Sequence, residues 1–239
     1  MSKRLDVLLV EKGFYPSREK AKQAVESGRV SVDGVKATKA SMQCLDDANL
    51  EAKPFEFVSR GGFKLQKALE DFGISLSGKV VLDIGASTGG FTDVSLQNGA
   101  KKVYAVDTGE GQLAEKIRAD ERVVNLEKTN YLNLPKEGLS DVDTVVIDVS
   151  FVSLTMLVPK LANDFDKIEI VALIKPQFEC GLEYARKHKG IVKDEKVHKK
   201  VLDKVCDCFK SFGFENKGII TSPIKGGDGN VEFLGCWTK

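Results

Sequence analysis

Apolar positions along this chain change period several times, and each change predicts an element. Leu5, Leu8 and Leu9 share one helical face before Gly13 stops the run, and Ser17 offers an N-cap to a second stripe of Ala21, Ala24 and Val25 that ends before Gly28. Residues 29–35 then alternate apolar and polar around Asp33-Gly34, the signal of a tight hairpin. After Pro54 the pattern changes. A helical stretch over 62–72 is followed by short runs rich in Val and Ile at 79–84, 102–107, 122–126, 143–148 and 167–174, the composition of strands covered on both faces. Val197, Val201, Val205 and Phe209 return to helical spacing, and two last strands are expected over 215–221 and 230–237. Strands that alternate with helices build a mostly parallel, Rossmann-like α/β sheet, here with its last strand antiparallel. The expected organisation is a small α+β domain at 1–52, a linker at 53–60 marked by Pro54, and a larger α/β domain at 61–239.

Composition narrows the classes. Lys and Arg number 36 against 35 Asp and Glu, a net charge of +1, which argues against a chain that binds polyanions over its whole surface. Any nucleic-acid contact has to be local, and across residues 1–40 Lys and Arg outnumber Asp and Glu, with Arg18, Lys20 and Lys22 on the polar face of the second helix. No stretch approaches the roughly 18 apolar residues that span a bilayer. The longest candidate, 145–158, is broken by Asp148 and several hydroxyls. Basic residues near the N-terminus are followed by no uninterrupted apolar segment, and Cys44, Cys180, Cys206, Cys208 and Cys236 are scattered without a second pair at zinc-ligand spacing. These features predict a cytoplasmic protein with reduced thiols, no metal and no membrane partner.

The segment Val81-Leu82-Asp83-Ile84-Gly85-Ala86-Ser87-Thr88-Gly89-Gly90-Phe91 carries the most chemistry, because an apolar run stops at an acid and breaks into closely spaced glycines. It reads as strand, tight turn and helix, where a glycine lets the backbone approach a ligand. A dinucleotide fingerprint would space its glycines G-x-G-x-x-G, whereas here they fall G-x-x-x-G-G behind Asp83. An acid at that strand tip repels a pyrophosphate and suits the ammonium of S-adenosylmethionine. Asp83, Gly85, Ala86, Ser87, Gly89, Gly90 and Phe91 are thus candidate cofactor residues. Asp107 ends the second strand, where a carboxylate accepts from ribose hydroxyls or simply closes a turn before Thr108-Gly109. Asn130 offers either an amide to an adenine or an Asx-turn.

Lys64, Asp148, Lys175 and Glu232 stand out as charges in apolar or strand-tip settings. Asp148 ends Val145-Val146-Ile147 and Lys175 ends Ile170-Val171-Ala172-Leu173-Ile174, so both project at the carboxyl edge of the sheet, where ligands bind. Glu232 lies just ahead of Phe233-Leu234-Gly235-Cys236-Trp237, where a buried acid needs a cationic partner. Taken singly, each is as readily a structural ion pair as a catalyst. The basic stretch 180–190 is either a lid that touches phosphates or a solvated loop.

Two resemblances join these readings. Ser17-Arg18-Glu19-Lys20-Ala21 with Gly28-Arg29-Val30-Ser31-Val32-Asp33-Gly34 resembles the S-four type RNA-binding module over most of residues 3–50, which implies RNA contacts at Arg18, Lys22 and Arg29. The glycine turn with Lys64, Asp148, Lys175 and Glu232, set in Val146-Ile147-Asp148-Val149-Ser150-Phe151, Leu173-Ile174-Lys175-Pro176-Gln177 and Gly229-Asn230-Val231-Glu232-Phe233, resembles the FtsJ-type ribose methyltransferases, the TlyA branch in particular. That resemblance implies a class I methyltransferase sheet and S-adenosylmethionine as cofactor. Its substrate is ribosomal RNA or a ribosomal subunit, methylated on a ribose 2′-hydroxyl, cytidine by family. It also implies catalytic roles for Lys64, Asp148, Lys175 and Glu232, with Lys175 as base, Asp148 orienting it and Glu232 paired with Lys64. Against this stand a non-catalytic RNA-binding or ribosome-assembly factor, which has no need of two lysines and two acids at one cofactor edge, and a haemolysin, for which the sequence offers no spanning segment.

Overall fold

A computed structural model describes residues 2–226 and 228–239, and the chain divides into two compact units, at residues 1–56 and 57–239. In the first unit β1 (Ser2–Arg4), α1 (Leu5–Glu11), α2 (Arg18–Glu26), β2 (Val30–Val32), β3 (Val35–Lys36), β4 (Gln43–Leu45) and β5 (Leu50–Ala52) follow in order. Ser17 caps α2 as expected, its side chain accepting from Lys20 N at 3.2 Å. Asp33 and Gly34 both take positive φ, 50° and 76°, the left-handed pair that a two-residue hairpin turn requires. Leu5, Leu8, Leu9, Ala21, Ala24, Val25 and Val30 form the buried core of this unit. Three strands, β1, β4 and β5, lie outside the sequence expectation. Each has only three residues, too few to display a period.

The sequence expectation places a linker at 53–60, but these residues are held by the units themselves. Lys53 and Pro54 accept hydrogen bonds from Tyr15 Oη and an Arg29 guanidinium nitrogen in the first unit. Phe57 packs edge-on against Phe63, and Val58 N donates to Asp93 at 2.8 Å in the second.

The second unit runs α3 (Gly61–Phe72), β6 (Val80–Ile84), α4 (Gly90–Gln97), β7 (Lys102–Val106), α5 (Glu115–Arg118), β8 (Val123–Leu126), β9 (Thr144–Ile147), α6 (Val158–Asp164), β10 (Glu169–Ile174), α7 (Pro176–Glu179), α8 (Leu182–Lys187), α9 (Glu195–Ser211), β11 (Glu215–Thr221) and β12 (Phe233–Thr238). Among the described residues its strands form one seven-stranded sheet in the order β11-β12-β10-β9-β6-β7-β8, parallel except for β12, which is antiparallel to both neighbours. Alternation along the strands sends Val81, Val146, Val171, Leu173 and Leu234 into a core shared with α3 and α4, and Leu82, Val145, Ile147, Ile170 and Ala172 into a core shared with α6 and α9. Both faces are therefore covered, which is why the strands read as continuous apolar runs. Chain order reverses between β6 and β9, which makes that crevice the switch point of the sheet.

Phe209 of α9 stacks on Trp237 of β12 at 4.0 Å between centroids, and both are fully buried. Replacing Phe209 with Ala is expected to lower the unfolding free energy by about 3–5 kcal/mol, the usual cost of emptying a buried aromatic site. Urea denaturation of the full chain measures it.

Candidate functional site

The turn after β6 is built by steric necessity. Gly85 has φ +88°, and a Cβ there would lie 2.6 Å from the carbonyl oxygen of Asp148, so only glycine lets the tips of β6 and β9 come this close. Gly89 (φ +91°) precedes α4, and a Cβ there would meet Leu113. A Cβ on Gly90 would meet Ser59 Oγ and the backbone at Gly61 and Gly62, so Gly90 lets the start of α3 approach α4. Between the tips of β6, β7 and β9 and the loop after β8 lies a cavity of about 390 Å³. Gly85, Ser87, Asp107, Asn130, Asp148 and Phe151 are among the residues that line it.

The sequence-derived cofactor residues thus fall into two groups. Gly85, Ser87, Asp107 and Asn130 line the cavity. Asp83, Ala86, Gly89, Gly90 and Phe91 are buried instead, and Phe91 and Ala86 pack in the core shared with α4. Asp107 accepts from Ser87 N at 2.8 Å and Gly109 N at 2.7 Å, one bond to each oxygen, so it fastens the turn and keeps a second lone pair on each. Asn130 Oδ1 accepts from Leu132 N at 3.0 Å, an Asx-type cap that leaves the amide NH₂ as the group it can offer a ligand.

Asp83 is the most perturbed of these. Thr92 Oγ1 donates to its Oδ2 at 2.6 Å, while its Oδ1 is buried with no hydrogen-bond partner among the described residues. Burial pushes its pKa up to about 7 against the lowering effect of the Thr92 bond, with the charges of Asp148 and Asp107 adding to the rise. An orphaned acid oxygen and a turn that only glycine fits are what a cationic amino-acid group of S-adenosylmethionine would need here, so the residues present suit that cofactor.

On the other side of the switch point the charges pair. Period-two alternation puts Asp83, Asp148 and Lys175 on the face that carries Val81, Val146 and Leu173, towards α3 and α4. Ile174 pairs with Phe233, and continuing that register one step sets Lys175 opposite Glu232, which precedes β12 rather than lying within it. Yet Glu232 is taken by Lys64 of α3, whose Nζ donates to its Oε2 at 2.6 Å with side chains only 10 % and 3 % exposed. Lys175 Nζ instead lies 2.6 Å from Asp148 Oδ1 and donates to Ser150 Oγ at 2.8 Å. The Asp148 contact is a close ion pair rather than a well-aligned hydrogen bond.

Sequence reasoning missed several residues here. Phe151 is 91 % exposed with φ +65°, and its ring lies 5.1 Å from that of Phe178 beside the cavity. Glu179, buried, accepts from Ser153 Oγ at 2.5 Å and Leu154 N at 2.6 Å and so ties the loop after β9 to α7. Nothing in hydrophobic period marks either residue. An isolated Phe among serines in 149–153 is the one visible signal for Phe151.

In the first unit Asp6, buried, accepts from Arg4 at 2.9 Å and from Arg18 at 3.1 Å, which sets two guanidinium groups side by side. The hydrogen bond from Arg4, then that from Arg18 and both charges, hold the Asp6 pKa down at about 2 against burial. The Arg18 side chain remains 58 % exposed. Lys22 is exposed and pairs loosely with Glu26 at 3.8 Å. Arg29 donates to Pro54 O and lies over the Phe55 ring, which makes it a brace within the unit.

A Rossmann-like sheet with an acid-lined cavity at its switch point and cation–carboxylate pairs beside it defines a methyltransferase-type α/β protein. The chain belongs to the FtsJ-like methyltransferase family, whose pattern matches residues 57–239, and the S4 domain pattern matches residues 3–48. It is 40 % identical to the 16S/23S rRNA (cytidine-2′-O)-methyltransferase TlyA of Mycobacterium tuberculosis, over 99 % of this chain and 89 % of that protein, and 43 % identical to Hemolysin A of Brachyspira hyodysenteriae, over 97 % and 98 %. A solved hemolysin candidate from Streptococcus thermophilus, 43 % identical, superposes with a TM-score of 0.76 over 100 % of this chain and 88 % of its own. Magnesium protoporphyrin IX methyltransferase from Synechocystis PCC 6803, at 17 % identity and a TM-score of 0.52 over 75 % of this chain and 82 % of its own, shares the fold alone.

The raised pKa of Asp83 ties stability to pH. A folded pKa near 7 above an unfolded value of about 3.9 means that this group's stabilisation is complete below about pH 4 and is lost as pH rises through 7. Asp83→Asn is expected to flatten that loss, read as thermal unfolding of both proteins between about pH 4 and pH 8.

Proposed function

We propose that this chain transfers a methyl group from S-adenosylmethionine to a ribose 2′-hydroxyl of ribosomal RNA, with cytidine as the target nucleoside. The observation that carries the reading is Asp148, which lines the cavity and ion-pairs with Lys175, so a cofactor site and a basic side chain share one strand tip. When bound, the cofactor supplies an electrophilic sulfonium methyl. Gly85, Ser87, Asp107 and Asn130 bind it, and Asp83 and Asp148 favour its positive charge.

Lys175 in its amine form would accept the proton of the attacking hydroxyl, and the cofactor, when bound, would supply the methyl group to that oxygen and leave as a neutral thioether. Asp148 and Ser150 orient Lys175, and Asp148 balances the ammonium that results. Lys64 and Glu232 hold the end of β12 and the start of α3 together around this point. The exposed Phe151 ring, with the tilted Phe178 ring beside it, offers an apolar face on which a base can stack. The S4 domain, with the Arg4 and Arg18 pair set by Asp6 and with exposed Lys22, supplies phosphate contacts. A ribosomal-RNA substrate supports a cytoplasmic location.

The test is to incubate ribosomal subunits with methyl-labelled S-adenosylmethionine and map the product by resistance to alkaline cleavage. A single ribose-methylated nucleotide is expected. Label on a base, or none, overturns the reading. Lys175→Ala is expected to lower methyl transfer by about 10²–10⁴-fold, the range of a lost general base, with cofactor affinity unchanged by calorimetry.

A further inference from the structure

We propose that residues 182–193 form a second RNA-binding element, a basic strap on the methyltransferase unit that grips phosphates next to the modified nucleotide. The proposal rests on the ribosomal-RNA reading above. Helix α8 buries none of its residues, and Arg186, Lys187, Lys189 and Lys193 are all exposed. Glu183 is the one acid among residues 182–193. Among the described residues none of these four cations has a carboxylate partner, whereas Lys3, Arg4, Arg18 and Lys22 of the first unit are each in an ion pair. Like charges left so close together repel, and a polyanion relieves that repulsion.

The strap is shaped rather than loose. Tyr184 and His188 stack one helical turn apart at 4.2 Å and 19°, which stiffens α8. Lys189 and Gly190 then turn the chain with φ of 51° and 75°. Asn230, buried, fastens the far end. Its Oδ1 accepts from Val192 N at 2.8 Å, and its Nδ2 donates to Gly190 O at 2.8 Å. His198 Nε2, 3.0 Å from Val192 O, adds a further tie. Asn230 lies two residues before Glu232, and α7 joins the strap to Lys175, so both ends of this cationic segment are anchored at the site. A solvated charge run needs no such buried latch. A cavity of about 410 Å³ lined by Tyr184, His188, Ile191, Lys193 and Asp194 gives the strap a concave side.

The experiment measures affinity of the full chain for large-subunit ribosomal RNA transcribed in vitro, across a salt series. Each phosphate contact contributes roughly 0.7–0.9 to the slope of log affinity against log salt, so R186Q/K187Q/K189Q/K193Q is expected to lower the slope by up to about 3 and affinity near 0.15 M salt by about tenfold or more. K187Q/K189Q is expected to lose about half as much slope, with cofactor affinity unchanged in both variants. K101Q/K167Q, exposed at the opposite ends of the strands, is the charge control and is expected to leave the slope unchanged. An unchanged slope in the quadruple variant, or an equal loss in the control, overturns the strap. So does a strap-dependent loss seen with assembled subunits but not with free RNA, which would point to a ribosomal protein. Methyl transfer by the wild type together with an unchanged slope removes the strap and leaves the activity standing. Strap-dependent RNA binding without methyl transfer does the reverse.

Discussion

The second unit depends on the closeness of two strand tips. Gly85 and the backbone of Asp148 approach to a distance that no Cβ would permit, at the place where chain order in the sheet reverses. A parallel sheet opens its crevice at such a reversal, because the connections after β6 and β9 leave towards opposite sides. The open side towards β7 and β8 becomes a cavity, and the side towards β10 and β12 collects lysines and acids. Asp148 belongs to both sides. A side chain at position 85 would push β9 away and separate the cavity from Lys175.

Charge is distributed to match. Asp83, Asp107 and Asp148 gather around the turn and the cavity, and the pKa of Asp83 is raised mainly by burial, with the charges of Asp148 and Asp107 adding to the rise. A cation entering there would offset those charges. The two lysines beside the cavity each lie against an acid, so the ammonium that proton transfer would leave on Lys175 has a carboxylate beside it. Positive charge without a partner is found further out, on residues 186–193, where solvent screens it until a polyanion replaces the counterions.

Much of this was legible in the sequence because burial on both faces makes parallel strands into Val/Ile runs, and a charge that ends such a run has to lie at the sheet edge. Asp83, Asp107, Asp148 and Lys175 were visible for that reason. What stayed hidden is what depends on partners distant in sequence or on single backbone dihedrals. Gly89 and Gly90 read as ligand-binding glycines, but their side-chain positions face Leu113 and Ser59, so close packing already accounts for them. Arg29, read as an RNA contact, also braces its unit by donating to the carbonyl of Pro54, which the sequence does not show. The exposed Phe151 has no periodic neighbours that could announce it. Short strands such as β4 and β5 carry no pattern at all, being fixed by their partners β1 and β2.

The pairing of the lysines follows from geometry that no single segment contains. Register across β10 and β12 sets Lys175 opposite Glu232, and if strands alone decided, those two would pair and Asp148 would be left with a buried charge. Helix α3 prevents this, because Leu65, Ala68 and Leu69 bury against the same face of the sheet and carry Lys64 onto Glu232. A lysine from a helix thus displaces a lysine from a strand. Lys175 is left to Asp148 and Ser150, both of which line the cavity. In the proposed reaction Lys64 acts without touching the hydroxyl, since by occupying Glu232 it decides which way Lys175 faces.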